Sequence, residues 1–191
     1  NAESWVGEAI ASALAQTWPA TEVIVIDDGS TDGSLAAIRR HDGAIRWATG
    51  TNRGGAAARN RGLAMAHGEW IQFLDADDLW TPNRLPAQLA RLATGPEEAG
   101  QAWIVLGRME CFSDGATVPP GQLENANAKP YHYNLSASLI SPLAFAAVGG
   151  FDETLLASHD WDWFVRAREA GIPIAIETGI TIRKRIHVSN M

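Results

Sequence analysis

The sequence is poor in cysteine, in lysine and in long apolar stretches. Cys111 is the single cysteine among 191 residues, so no disulfide can form within the chain and a reducing, cytoplasmic location is expected. Lys129 and Lys184 are the only lysines, which leaves few candidates for phosphate chemistry that depends on a lysine. No apolar run reaches membrane-spanning length and no secretory leader is visible, so we expect no transmembrane segment, with peripheral contact to a membrane left open.

Positive charge is also scarce. The chain carries 15 Lys and Arg against 22 Asp and Glu, a net charge of −7, which argues against a nucleic-acid partner. An anionic ligand would therefore need a local positive centre, such as a metal ion or a few arginines. The hydrophobic fraction of 46% and the chain length fit one globular domain with a sizeable core.

Strand-like apolar runs alternate with helical patterns in the first half of the chain. The strand-like runs there are 23–26, 45–48 and 70–74, and the second half adds 103–106 and 174–188. This alternation predicts βαβ units and an α/β fold with a Rossmann-like, mostly parallel central sheet flanked by helices. The composition of 114–130 predicts a long loop. Because the chain opens almost directly on a helical pattern, a first strand upstream of Asn1 is expected.

Two of the predicted strands end in aspartates. In parallel α/β sheets the ligand crevice lies beyond the carboxyl ends of the strands, so both groups of acids should face one crevice. Asp75 and Asp77 alternate on an extended segment and can reach a common point. Mg²⁺ or Mn²⁺ between them would in turn bind phosphate oxygens. The alternative interpretation is a solvated acidic loop that precedes the next helix.

The earlier pair of acids, Asp27 and Asp28, also admits two interpretations. The residues fit a strand-to-helix turn, but their carboxylates could equally accept hydrogen bonds from the N–H and O–H groups of a base and ribose. Neither G-x-G-x-x-G after a strand nor G-K-[ST] occurs in the chain, so a dinucleotide-binding motif and a P-loop are both disfavoured.

Five motifs in order resemble the landmarks of the family 2 glycosyltransferases. They are DDGSTD at 27–32, NRGGAAARNRG at 52–62, FLDADD at 73–78, GGFDE at 149–153 and HDWDWFVRA at 159–167. Members of this family are inverting enzymes with the GT-A fold, and the resemblance extends over the whole chain. In the family an opening strand ends in Pro-x-Tyr-Asn, and Asn1 is similar to its last residue.

The resemblance implies roles for individual residues. The implied nucleotide-sugar contacts are Asp27, Asp28, Asn52, Gly54, Arg59, Asp75 and Arg185, the implied metal ligands are Asp77, Asp75 and His187, and the implied catalytic base is Asp160. The chain departs from the family at two positions. His159 stands where the family usually has glutamate, and Ser141 stands where relatives often have a basic residue.

Helical geometry helps to separate Asp160 from Asp162, which point in nearly opposite directions on a predicted helix. Asp162 has Arg166 four residues later and is expected to form an ion pair with it, whereas Asp160 opens the helix and can project into a cleft. Both acids could instead merely complement the helix dipole.

Two further features admit alternatives. The stretch 183–187 is interpreted either as a solvated basic strand edge or as a mobile flap that closes over a diphosphate. Trp161 and Trp163 are interpreted as core residues rather than sugar platforms.

The resulting hypothesis is a glycosyltransferase that uses Mn²⁺ or Mg²⁺. It would move a sugar from a nucleoside-diphosphate donor, UDP in the first instance, to an acceptor hydroxyl on a glycan, a lipid-linked molecule or a protein, with inversion. The half at 1–95 would bind the donor, and the half at 96–191 would supply the base helix and the C-terminal flap. The alternatives are a non-catalytic nucleotide-sugar-binding module and a sugar nucleotidyltransferase. A haloacid-dehalogenase-type phosphatase is disfavoured because Leu79 stands where that chemistry needs Ser or Thr.

Overall fold

The computed structural model describes residues 1–93, 101–113, 115, 123, 127 and 133–187, and helices and strands alternate from α1 to β4. In chain order the elements are α1 (Val6–Leu14), β1 (Ile24–Asp27), α2 (Ser34–Arg39), β2 (Arg46–Thr49), α3 (Gly55–Met65), β3 (Leu79–Trp80), α4 (Arg84–Leu92), β4 (Ile104–Ser113), a 3₁₀ turn (Leu135–Ala137), β5 (Leu139–Ile140), α5 (Pro142–Val148), α6 (His159–Glu169) and β6 (Ile174–Ile186). The predicted α/β class is confirmed. Most of the loop predicted at 114–130 lies outside the described residues.

The described strands form two sheets. β1 and β2 pair in parallel, with Ile24 opposite Arg46, and α2 connects them as the βαβ pattern predicts. The second sheet has the order β3-β6-β4-β5, in which β4 and β6 are parallel and the two outer pairings are antiparallel. Parallel pairing therefore accounts for the longest ladder and for β1–β2, while the short strands at the edges run the other way.

The apolar run at 70–74 does not form a full strand. Its one bridge joins Ile71 to Ile140 of β5, through hydrogen bonds of 2.8 and 2.9 Å between their backbone N–H and C=O groups. The apolar side chains of the run are nevertheless used, because Phe73 packs edge-on against Phe145 and Phe151. The run was recognisable from its hydrophobicity, but hydrophobicity alone does not provide a strand partner at each position.

The main core lies between the second sheet and helices α5 and α6. Trp163 is fully buried, its ring lies 4.6 Å from that of Phe145, and its indole N–H donates to the carbonyl of Gly149. Ala56 and Ile71 belong to the same cluster, so residues from both predicted halves share one core. Burial of each large apolar side chain contributes about 1.5–3 kcal/mol, which fixes α6 and the acids at its start.

The edge of β1 that does not face β2 has no strand partner among the described residues. Two cavities adjoin this edge, and residues 24, 26, 72 and 74 line both of them. The first strand expected from the sequence stays a prediction. No helix in the described part of the chain has the length and apolarity needed to cross a membrane.

Candidate functional site

The turn after β1 and the turn before β3 open onto one cavity of about 480 Å³. Asp27 and Asp28 come from the first turn, and Asp75 comes from the second. Asn52 and Arg59, from the loop after β2 and from α3, complete the polar part of the wall, and α1 and β1 form the apolar part. The expected meeting of the two acidic turns is therefore observed, in a space that Asn52 and Arg59 also line, whereas Gly54 is not among the lining residues.

Asp28 organises the loop that leads into α3. Its two carboxylate oxygens accept the backbone N–H groups of Arg53 and Gly54, at 2.9 and 2.7 Å. Gly54 has φ +93°, a left-handed conformation that favours glycine, and it directly precedes α3. A carboxylate has about four acceptor sites, so Asp28 retains capacity to bind a ligand donor while it orders this loop.

Asp27 is a buried turn residue. One of its oxygens accepts the hydroxyl of Thr49 at 2.6 Å, and the other accepts the backbone N–H of Ser30 at 3.2 Å. Burial opposes ionisation, but the hydrogen bonds from Ser30 and Thr49 outweigh it and lower the pKa of Asp27. The residue lines the cavity and joins the ends of β1 and β2, while its predicted contact with a nucleotide stays a prediction.

Arg59 connects the two sides of the site. Its Nη2 donates to Asp75 Oδ1 at 2.7 Å, and its Nη1 contacts Nε2 of His159 at the start of α6. Asp75 belongs to the turn before β3, and His159 directly precedes Asp160. A continuous chain of side chains therefore runs from the cavity to the helix that carries the predicted base.

Asp160 occupies the first turn of α6 and is partly exposed, with one oxygen accepting the backbone N–H of Trp161 at 2.9 Å. Asp162 forms the predicted ion pair with Arg166, at 2.9 Å, which confirms that prediction. Arg166 also donates to the carbonyls of Val148 and Gly150, so Asp162 belongs to the packing of α6 on α5. Asp160 forms no such helical ion pair in the described structure, which distinguishes it from Asp162.

Asp77 and His187 meet although 110 residues separate them in the sequence. His187 Nε2 lies 2.9 Å from Asp77 Oδ2, and the His187 ring stacks on Trp5 with centroids 4.1 Å apart. Two of the three predicted metal ligands are thus adjacent, and the third, Asp75, is engaged by Arg59. No group of three potential His, Cys, Asp or Glu ligands is found among the described residues.

A metal fits this pair only if the remaining ligands are water and the substrate. Mg²⁺ and similar hard cations usually take one or two carboxylates from the protein and complete their shell with water and phosphate oxygens. Asp77 supplies one carboxylate of this kind, whereas the imidazole of His187 is a nitrogen ligand that hard cations take less readily than oxygen, so binding of Mn²⁺ or Mg²⁺ here stays a prediction.

Arg185 is buried rather than exposed on a flap. Its Nη2 donates to Glu8 at 2.5 Å and its Nε donates to the carbonyl of Asp77 at 3.0 Å. Residues 183–186 belong to β6, where they pair with β4, so this part of the predicted flap is regular strand. Alternation along the strand turns Arg185 inward, where it positions the Asp77 turn. Its contact with a diphosphate stays a prediction.

Asp78 is a buried acid for which no separate role was predicted. It accepts the backbone N–H of Arg185 at 2.9 Å and lies 3.5 Å from Nζ of Lys184. Burial raises the pKa of Asp78 to about 6, against the opposing effect of Lys184. Although burial opposes it, the neighbouring acid Asp78 raises the pKa of Lys184. The pair locks the acidic turn onto β6.

Several structural contributors carried no recognisable sequence signal. Trp5, which precedes α1, stacks on His187, and Glu8 on α1 forms an ion pair with Arg185 of β6. Ser141, the departure from the family pattern, is buried, and its hydroxyl oxygen accepts the backbone N–H of Trp103. Trp163 is core as predicted, whereas Trp161 is 55% exposed.

Comparison with known proteins identifies related chains. The model of the family described as Glycosyl transferase family 2 matches residues 1–146. The succinoglycan biosynthesis protein ExoU of Rhizobium meliloti is 34% identical over 191 residues, covering 90% of this chain and 55% of ExoU. An uncharacterized glycosyltransferase of Rickettsia bellii is 42% identical over 202 residues, covering 98% of this chain and 29% of the relative. The chain thus spans about half or less of the length of these relatives.

Among solved structures, S. aureus TarS has a similar fold. The superposition gives a TM-score of 0.76 at 22% identity and covers 97% of this chain and 35% of TarS. Residues 1–349 of TarS in complex with UDP-GlcNAc give a TM-score of 0.74 at 20% identity, covering 97% of this chain and 56% of that one. The GT-A-like α/β fold is therefore shown.

Proposed function

Because this chain belongs to glycosyl transferase family 2, we propose that it transfers a sugar from a nucleoside-diphosphate donor to an acceptor hydroxyl, with inversion. The observation that supports this most directly is the side-chain connection from the donor cavity to α6. Asp75 and Arg59 line the cavity, and Arg59 contacts His159, the neighbour of Asp160. A donor held in the cavity would therefore present its reacting end near the start of α6.

Each group of residues has a separate role in this proposal. Asp28 and the loop it orders accept and frame the nucleoside, and Arg59 supplies positive charge for the diphosphate in an otherwise acidic chain. Asp77 and His187 would hold Mn²⁺ or Mg²⁺. When bound, the ion neutralises charge that develops on the leaving diphosphate.

Asp160 would act as the general base. It takes the proton from the acceptor hydroxyl as that oxygen attacks the anomeric carbon and the bond to the diphosphate breaks. A single displacement needs one carboxylate on the acceptor side and forms no covalent glycosyl intermediate. The accessible position of Asp160 on the first turn of α6 supports this role, and the ion pair of Asp162 with Arg166 argues against Asp162 in the same role.

UDP is the proposed nucleotide. TarS, which shares the fold, has been crystallised with UDP and with UDP-GlcNAc. The acidic pair at the end of β1 suits a base that offers N–H donors, and uracil has such a donor at N3.

The test combines donor binding with turnover. A panel of UDP-, GDP- and dTDP-linked sugars is titrated with and without Mn²⁺, and release of the nucleoside diphosphate is then followed with each donor that binds, using water or simple glycosides as acceptor. Asp160→Asn is expected to leave donor affinity nearly unchanged and to lower turnover by about 10²–10⁴-fold. Proton NMR of the product should show an inverted anomeric centre.

Asp162→Asn is the matched control, because it changes the same residue type two positions along α6. It should lose the ion pair with Arg166 and retain turnover. Equal loss of donor affinity and turnover in Asp160→Asn, or a product with retained configuration, would refute the proposed mechanism.

A further inference from the structure

His159 lies at a strained point of the backbone. Ser158, the residue before it, has φ +59°, and it is the one non-glycine residue with positive φ in the described part of the chain. Non-glycine residues in the left-handed region are strained and persist where surrounding contacts fix them. Directly after Ser158, the His159 ring lies beside Gly55 and edge-on to Phe151, and these contacts fix the backbone at this point.

The chemistry of the contact with Arg59 determines the form of the ring. A guanidinium has donors and no acceptor, so Nε2 of His159 must accept and the proton of the neutral ring resides on Nδ1. Nδ1 is buried without a hydrogen-bond partner in the described structure. A charged imidazolium would need acceptors at both nitrogens and would face the positive charge of Arg59, so the geometry selects the neutral ring.

The surroundings of the His159 ring also favour its neutral form. Burial and the charge of Arg59 lower the pKa of His159, and the carboxylates of Asp160 and Asp75 oppose them only in part. These three side chains are the charged groups that bear on the ring from α3, from the turn before β3 and from α6 itself. A neutral acceptor holds Arg59 in place without neutralising it, whereas a glutamate at this position would form an ion pair with it.

We propose that His159, as a neutral Nδ1–H imidazole, is a positioning residue that holds Arg59 against Asp75 and fixes the start of α6 at the donor cavity. The inference rests on the proposed function for its catalytic consequence, since Arg59 faces the diphosphate and Asp160 follows His159. In this chain the His159 ring contacts the Arg59 guanidinium, which in turn donates to the carboxylate of Asp75. It explains how a histidine can stand where the family usually has an acid.

The first experiment determines the tautomer directly and does not depend on activity. Two-bond ¹H–¹⁵N NMR of histidine-labelled protein should show His159 neutral at pH 7, with the proton on Nδ1, and His159→Gln should identify the signal. In Arg59→Met, which removes the donor, the ring should lose this tautomer preference. A ring protonated on Nε2, or charged at pH 7, would overturn the inference whatever the protein binds.

The second experiment measures the affinity for UDP with Mn²⁺ by calorimetry. His159→Ala removes the acceptor and is expected to weaken UDP binding about tenfold, the equivalent of one lost hydrogen bond to a charged group. His159→Gln keeps a neutral acceptor and should stay within about threefold of the parent chain. His67→Gln is the matched control, because His67 also contacts an arginine, Arg46, but lies on the surface.

The pH dependence separates a positioning role from a merely structural one. Because the pKa of His159 lies below the ordinary value of 6.5, the parent chain should lose UDP affinity as the pH falls through that lowered pKa, where the ring becomes protonated and no longer accepts from Arg59. His159→Gln should lack this component, so the difference between the two profiles isolates the ring. Identical profiles, or equal affinities of His159→Ala and the parent chain, would overturn the inference. If the parent chain binds no UDP at all, the choice of UDP in the proposed function fails, and the NMR result alone decides the role of His159.

Discussion

Replacing Asp28 with asparagine is expected to loosen the loop before α3 without unfolding the protein. The carboxylate accepts two backbone N–H groups, from Arg53 at 2.9 Å and from Gly54 at 2.7 Å. A hydrogen bond to a charged group contributes about 1.5–3 kcal/mol. Asparagine keeps one acceptor oxygen and turns an –NH₂ group toward the other N–H, so one of the two bonds is lost. Because the Arg53 bond is exposed to solvent, the lower end of the range applies, about 1.5 kcal/mol.

Amide hydrogen exchange measures this change at the residues concerned. A loss of about 1.5 kcal/mol corresponds to roughly tenfold faster exchange at Arg53 and Gly54, provided that exchange reports the local opening equilibrium. Asp32→Asn is the matched control, since Asp32 Oδ1 accepts the Ser34 N–H at 3.0 Å on the same acidic turn. Because its other oxygen accepts the N–H of Glu3, Asp32→Asn should accelerate exchange at Ser34 or at Glu3 and leave Arg53 and Gly54 unchanged. Unchanged protection at both loop amides in Asp28→Asn would refute the assignment of loop order to this carboxylate.

Two further substitutions test the framework of the site. Arg84 is fully buried, donates to the carbonyls of Ser136 and Ser138 and stacks over Trp80, so Arg84→Ala should lower the free energy of unfolding in urea by about 3–5 kcal/mol. Arg84→Met, which keeps most of the volume, should cost clearly less, and equal losses would contradict the packing contribution. Trp5→Ala removes the ring that stacks on His187, and it should weaken Mn²⁺-dependent UDP binding about tenfold while leaving metal-free binding unchanged. Equal weakening with and without Mn²⁺ would contradict a role of Trp5 in supporting the metal ligand His187.

Local patterns predicted the parts of the structure that depend on local physics. The βαβ unit from β1 to β2 follows from short apolar runs separated by a helical period, and the Asp162–Arg166 pair follows from a spacing of four residues. These two features needed only spacing along the chain. Asp28 and Asp75 also meet at one cavity as predicted, although the run at 70–74 before Asp75 forms a single bridge and is not a strand of the sheet that contains β1.

What the sequence could not provide are contacts between distant segments and the burial of particular charges. The pattern RKRIH indicated an exposed basic strand or flap, but Arg185 is turned inward onto Glu8 and Asp77. The stacking of Trp5 on His187 joins residues near opposite ends of the chain. The run at 70–74 has strand-like hydrophobicity, yet only Ile71 forms a bridge. In all three cases the outcome depends on which partner the fold brings near, which no local pattern encodes.

In the proposed function, acids from separate segments form one donor site that a divalent cation completes. Calorimetric titration of UDP into the protein, in Mn²⁺ and in EDTA, tests this when it is repeated with Asp77→Asn. We expect tight binding in Mn²⁺, at least about tenfold weaker binding in EDTA, and loss of that difference in Asp77→Asn. Binding of equal strength in Mn²⁺ and EDTA, or a full Mn²⁺ effect in Asp77→Asn, would contradict it.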